Sequence, residues 1–180
     1  MNKIFKKDLY RYYGVEKETF RQKLARPPQI KYQLVLRKCQ SAKNRLSKAI
    51  LRLKLKRLQE KTQIIISYKT QIGEGFYIGH HGRIIINKDV IIGKNVNIAT
   101  GVTIGQENRG ERKGVPTISD NVWIGTNAVI VGKVTIGTDV LIAPNSFVNF
   151  DVPDHSIVVG NPAKIIHSEN ATESYVCNKV

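Results

Sequence analysis

Four histidines occur in this 180-residue chain, and two of them, His80 and His81, are adjacent in the irregular stretch FYIGHHGRIIIN, residues 76–87. An imidazole exchanges its proton near neutral pH, so a histidine held in place can act as acid or base on a reacting group. The plainer reading of such a pair is two solvated turn residues. Placement favours chemistry for His80. On either side of the stretch an aliphatic residue returns every six positions, but from Ile78 to Ile86 the return takes eight. The histidines sit in that slip. Cys39 and Cys177 lie far apart and form no metal or redox spacing, so two free thiols and no metal site are expected.

The element that must position His80 is the repeat around it. Ile66, Ile72 and Ile78 are six apart, as are Ile86, Ile92, Ile98 and Ile104, and then Ile118, Ile124, Ile130, Ile136, Ile142 and Val148. A second small or apolar residue falls four after many of these, among them Val90, Val96, Val102, Val122, Ala128, Val134, Val140 and Ser146. Helices return apolar residues every three to four positions and strands every two. A sustained period of six is that of a hexapeptide β-helix, in which three hexads close one triangular coil and each coil buries its core against the next. The thirteen lead positions predict about four coils.

A second break, the step from Ile104 to Ile118, extrudes QENRGERKGVP, residues 106–116, as a surface loop. Insertions in a solenoid mark binding regions. Thr100 follows Ile98 by two, as His80 follows Ile78, and Gln106 comes soon after. The register therefore predicts that slip and loop lie on adjacent coils near one edge of the prism.

Charge divides the chain. Residues 1–62 hold 19 basic and 4 acidic residues, while the remainder is neutral. This basic arm reads as helical, with Pro27-Pro28 separating a first stretch from a second that runs from about Lys31 to Lys61. Leu34, Leu36, Leu46, Ile50, Leu53 and Leu58 give the second stretch a broad apolar face. The arm is too short for its own core and should pack on something else or on copies of itself. The solenoid fills 63–150, and 151–180 read as a closing strand and a loose polar tail. No run approaches the ~20 apolar residues of a membrane span, and the first residues lack a signal-peptide core.

The repeat, the slip with its histidine, the loop, VWIGTNAVI (122–130) and VVGNPAKII (158–166) together resemble the hexapeptide-repeat acyltransferases. The branch is that of serine acetyltransferases and bacterial polysaccharide O-acetyltransferases. The resemblance spans roughly residues 64–166. It implies a left-handed parallel β-helix, a homotrimer with sites between subunits, and acetyl-CoA as co-substrate. It places the general base at His80, with His81 beside it. The oxyanion donor would be the backbone N–H of Gln106, just after Gly105. Pantetheine would run past Gly125, Thr126, Ala143 and Pro144, with Lys164 near the CoA phosphates. Transfer would be direct, with the imidazole taking the proton of an acceptor hydroxyl as it attacks the thioester.

Three positions depart from the serine acetyltransferases the chain resembles. Gly79 stands where they have an acidic residue before the histidine. Ile65 stands where they have a carboxylate that orients it, and Val115 replaces a second histidine in their loop. A backbone carbonyl is then the simplest group to orient His80. A neutral rim suits a sugar hydroxyl, with Asn87, Asn97, Thr100, His81 and Trp123 as candidate acceptor contacts; an outward Trp123 could equally be a subunit contact. The expectation is a cytoplasmic O-acetyltransferase acting on a sugar or lipid-linked saccharide in surface polysaccharide biosynthesis. The alternatives are a serine O-acetyltransferase and a non-catalytic scaffold. For the basic arm two readings stand side by side, peripheral contact with the anionic inner face of the cell membrane and packing within the trimer. No RNA- or DNA-binding motif supports a nucleic-acid partner.

Overall fold

The computed structural model describes residues 3–15 and 17–180; the first two residues of the predicted arm, and Glu16, lie outside them. Four helices come first: α1 (Lys3–Tyr13), α2 (Phe20–Leu24), α3 (Pro28–Ser41) and α4 (Arg45–Thr62). The second helical stretch, expected from about Lys31 to Lys61, is two helices. Asn44 ends the continuity by capping α4, its side-chain oxygen accepting the Leu46 and Ser47 amides at 2.8 and 3.2 Å.

The repeat forms a parallel β-solenoid. Its first coil is β1 (Ile64–Ile66), β2 (Gln71–Ile72) and β3 (Tyr77–Ile78). The second is β4 (Ile84–Ile86), β5 (Ile91–Ile92) and β6 (Asn97–Ile98), and the third β7 (Thr103–Gly105), β8 (Thr117–Ile118) and β9 (Trp123–Ile124). The fourth is β10 (Val129–Val131), β11 (Thr135–Ile136) and β12 (Val140–Ile142). β13 (Phe147–Val148) and β14 (Ser156–Gly160) begin a fifth turn, and β15 (Ala163–His167) closes it antiparallel to β14. The strands stack into three sheets: β1-β4-β7-β10-β13, then β2-β5-β8-β11, then β3-β6-β9-β12-β14-β15.

All the lead aliphatics point inward, and all but the partly buried Ile72 are buried; the second residues of the hexads are buried with them. Each such side chain contributes about 1.5–3 kcal/mol by leaving water. The turns between sides need left-handed backbone, which Asn and Asp adopt most readily after glycine. Asn95, Asn121, Asn127, Asp139 and Asn145 supply it.

An open solenoid end exposes unpaired strand edges. α1 and α3 close this one with side chains. Tyr32 Oη donates to the Ile66 carbonyl at 2.9 Å and accepts its amide at 3.1 Å. Tyr12 Oη does the same for Ile78, at 3.1 and 2.8 Å. Arg37 donates to the carbonyls of Ile72 and Gly73 at 2.8 and 2.6 Å, and Gln33 to that of Phe76 at 2.6 Å. Asp8 accepts the Phe76 amide at 3.0 Å and pairs with Arg37 at 2.8 Å, both side chains buried. Much of the arm is therefore a cap on the solenoid. α4 presents an apolar stripe outward, with Leu46, Ile50 and Leu53 exposed, and Phe20 and Leu24 of α2 are exposed as well. Among the described residues no helix is long and apolar enough to cross a membrane.

The tail is not loose. Ala171, Thr172 and Val176 are buried. Asp139 accepts the amides of Ala171 and Thr172 at 3.1 Å each. The tail then crosses the third sheet, with Tyr175 over Trp123 at 4.8 Å between ring centroids. Farther on, the Cys177 carbonyl accepts Arg11 Nε at 2.6 Å, and the Val180 amide ends on Asn95 Oδ1 at 2.9 Å. Its polar composition hid this docking, because the contacts that hold it are hydrogen bonds to Asp139, Asn95 and Asn97.

Candidate active-site edge

The slip lies between β3 and β4, at the edge where the third sheet turns into the first. Its two ends are fixed. The Gly79 amide continues the ladder to the Ile98 carbonyl at 3.1 Å, and the Gly79 carbonyl accepts Gln29 Nε2 from α3 at 3.2 Å. The Gly82 amide donates to the Thr62 carbonyl at the end of α4 at 3.0 Å. Gly82 has φ +143°, and a Cβ there would stand 2.3 Å from Thr100 Oγ1. Between these anchors His80 and His81 are exposed. The expected orienting carbonyl is not there: neither imidazole has a partner among the described residues.

Above the slip the same edge continues coil by coil. The Ala99 amide donates to the Ile124 carbonyl, Gly125 to Ile142 and Ala143 to Val158, at 3.0, 2.8 and 2.8 Å. Asn127 donates to Thr100 and Asn145 to Thr126, at 3.0 and 2.9 Å. Thr100, Gly125, Thr126, Ala143 and Pro144 thus stack over His80. The β14–β15 turn closes the top, where the Gly160 amide reaches Ser146 Oγ at 3.1 Å, and exposed Lys164 follows it. Gly125 is tightly overlaid: a Cβ would stand 2.7 Å from Pro144 N and 2.8 Å from the Trp123 ring.

The loop is elsewhere. Residues 106–116 leave the solenoid between β7 and β8, where the first sheet turns into the second. They fold back on themselves, with Glu107 and Gly114 exchanging amide and carbonyl at 3.0 Å each way, and the Lys133 amide donates to Arg112 at 2.8 Å. The expectation that slip and loop share one edge is therefore wrong. Each hexad advances the chain by one side, and the first sheet separates the two. Gly105, the exposed Gln106 and Asn87 all lie at the loop's edge, the Asn87 amide on the Ile104 carbonyl at 2.9 Å. The backbone N–H of Gln106 has no partner among the described residues.

Two candidate acceptor contacts are committed to structure instead. Asn97 is 6% exposed; it accepts Arg11 Nη2 at 2.7 Å and donates to the Tyr175 carbonyl at 2.8 Å. Trp123 is on the third sheet under Tyr175, so the tail occupies the face that an acceptor or a second subunit was expected to take. Reading the sequence missed Gln29 and Thr62, which reach the slip from helices distant in the chain. No periodicity signals such contacts.

The family described as bacterial transferase hexapeptide (six repeats) matches residues 116–149. A serine acetyltransferase of Bacillus subtilis is 38% identical over 105 residues, 58% of this chain and 48% of that protein. Serine acetyltransferase 2 of Arabidopsis thaliana is 36% identical over 110 residues, 61% of this chain and 34% of that protein. The chain thus spans between a third and a half of these relatives. Over 91% of its length it is similar to the Neisseria gonorrhoeae serine acetyltransferase solved in complex with serine. That match has TM-score 0.74 and 28% identity and covers 68% of that chain. A Brucella abortus serine acetyltransferase solved with coenzyme A shares the fold, with TM-score 0.74 at 23% identity. These relatives overturn the expectation of a polysaccharide acceptor. That expectation rested on Gly79, Ile65 and Val115, three residues missing a charge, and a missing charge names no acceptor.

Proposed function

On a solenoid of the hexapeptide-repeat transferase type, we propose an acetyl-CoA-dependent O-acetyltransferase of the serine acetyltransferase kind. The observation that carries the proposal is the continuous edge from His80 through Thr100, Thr126 and Pro144 to the turn before Lys164. A thin pantetheine arm lying along it meets backbone and small side chains, with a cation at the far end for the phosphates and an imidazole at the near end for the thioester.

In the proposed reaction the neutral His80 imidazole takes the proton of the serine hydroxyl as its oxygen attacks the acetyl carbonyl. The C–S bond then breaks, the His80 imidazolium gives its proton to the departing sulfur, CoA leaves as the thiol and O-acetylserine remains. The oxyanion needs a donor, and the unpartnered Gln106 N–H suits it. Within one copy that N–H lies on the other edge of the first sheet. A homotrimer would bring the loop edge of one subunit against the His80 edge of the next. Ile65 and Ile85, exposed on the outer face of the first sheet, are apolar residues that such packing would cover. Arg83, exposed in the slip, is a cation for the serine carboxylate.

The test is CoA release from acetyl-CoA by the purified protein with L-serine as acceptor, with the product identified by mass. Formation of O-acetylserine supports the proposal. CoA release that does not depend on serine, or none, defeats it. A mass measurement under the same conditions should find the trimer.

A further inference from the structure

From the geometry at the slip we infer that Gln29 is a positioning residue for His80, holding the Gly79–His80 peptide in place from α3. The inference rests on the acetyl-transfer reading of His80. Gln29 is 7% exposed and lies fifty residues from Gly79 in sequence, yet its Nε2 donates to the Gly79 carbonyl at 3.2 Å. That carbonyl belongs to the peptide whose nitrogen is His80's own. Beyond it the next fixed backbone group is the Gly82 amide on Thr62. The histidines therefore hang between one anchor from α3 and one from α4.

Gln29 differs from the other capping side chains. Tyr12 and Tyr32 use their hydroxyls both as donor and as acceptor on strand residues, and Gln33 uses both ends of its amide, donating to Phe76 and, 2.8 Å from Tyr12 Oη, sharing that hydroxyl's one proton with the Ile78 carbonyl. Gln29 Oε1 is buried with no partner. A buried unpaired oxygen works against stability, and an apolar side chain of the same length would avoid it. An amide at this place is accounted for by its single bond, and that bond fixes the peptide before the base. An exposed imidazole with no partner of its own depends on its backbone for its position, and small misplacements of a catalytic base are costly to rate.

The test uses Gln29→Met, which keeps length and removes the donor. The expected result is a loss in kcat of about tenfold to a hundredfold, with the KM for acetyl-CoA within about twofold and the melting temperature unchanged or raised. On a His80→Ala background the same substitution should cost no further rate, because the peptide then positions nothing. A folded Gln29→Met with wild-type kcat overturns the inference, and so do losses that multiply in the double variant. Amide hydrogen exchange decides the point even if the wild type fails to acetylate serine. The Gly82 and Ile84 amides, bonded to the Thr62 and Gln63 carbonyls, should exchange faster in Gln29→Met, and unchanged exchange also overturns the inference. Failure of acetyl transfer in the wild type would instead count against the proposed function.

Discussion

The Gly82 amide donates to the carbonyl of Thr62, the last residue of α4, at 3.0 Å, so the helical arm ends directly on the segment that carries the histidines. Gly82 reaches that bond with φ +143° and with Thr100 Oγ1 where a Cβ would be. Gly82→Ala should therefore cost about 1–3 kcal/mol in unfolding free energy. It should also lower acetyl transfer more than Arg83→Ala does at saturating serine. Denaturant unfolding and kcat check the two parts.

The cap makes a prediction about stability alone. Tyr12→Phe removes the one side-chain partner that the Ile78 amide and carbonyl have among the described residues, and takes the shared proton from Gln33 Oε1 as well. Buried groups left unpaired cost about 1–3 kcal/mol each. The variant should unfold at lower urea with the slope of the transition unchanged, which equilibrium denaturation measures.

The tail should respond to pH. The bond to Asp139 raises the His155 pKa above its usual value. Burial by itself would raise the Asp139 carboxyl, but the bonds from Thr172, His155 and Ala171 outweigh it and hold the group below the usual carboxylate range. A raised histidine stabilises below its unfolded value of about 6.5, and that contribution is lost as pH rises through the folded value. A lowered carboxylate stabilises above about 3.9, and that is lost as pH falls through its folded value. Docking should be tightest between about pH 4 and 6.5 and loosen above. Hydrogen exchange at residues 171–176 measures this, and Asp139→Asn should remove most of the dependence.

The solenoid was legible because a six-residue period has one structural solution, and both breaks in it were found by counting. Their spatial relation was misjudged by one side of the prism. The cap was not legible. Arg11 and Arg37 look like any other charges in a basic arm, and only the fold shows them donating to the backbone of Gly75, Ile72 and Gly73. Asn97 and Trp123 misled for a related reason: the repeat places them outward correctly, but nothing periodic says that the tail will cover them. The acceptor was misread because Gly79, Ile65 and Val115 report only what the rim lacks.

Those same three residues still make a prediction. No carboxylate lies in the slip to receive an ammonium, so serine should be held by its hydroxyl and carboxylate. 3-Hydroxypropionate, which lacks the amino group, should be acetylated with a kcat/KM within about tenfold of serine's. Arg83→Ala should raise the KM for both. A preference for serine of a thousandfold or more, on the order of a dedicated polar contact, would show that a charge from elsewhere completes the pocket.

His80 is the proposed base. CoA release with L-serine, measured on wild type and His80→Ala at equal concentration and with folding confirmed, tests it most directly. With His80 as the base, kcat should fall by about a hundredfold to ten-thousandfold, with acetyl-CoA binding retained. Equal rates for an active wild type and the alanine variant would contradict it.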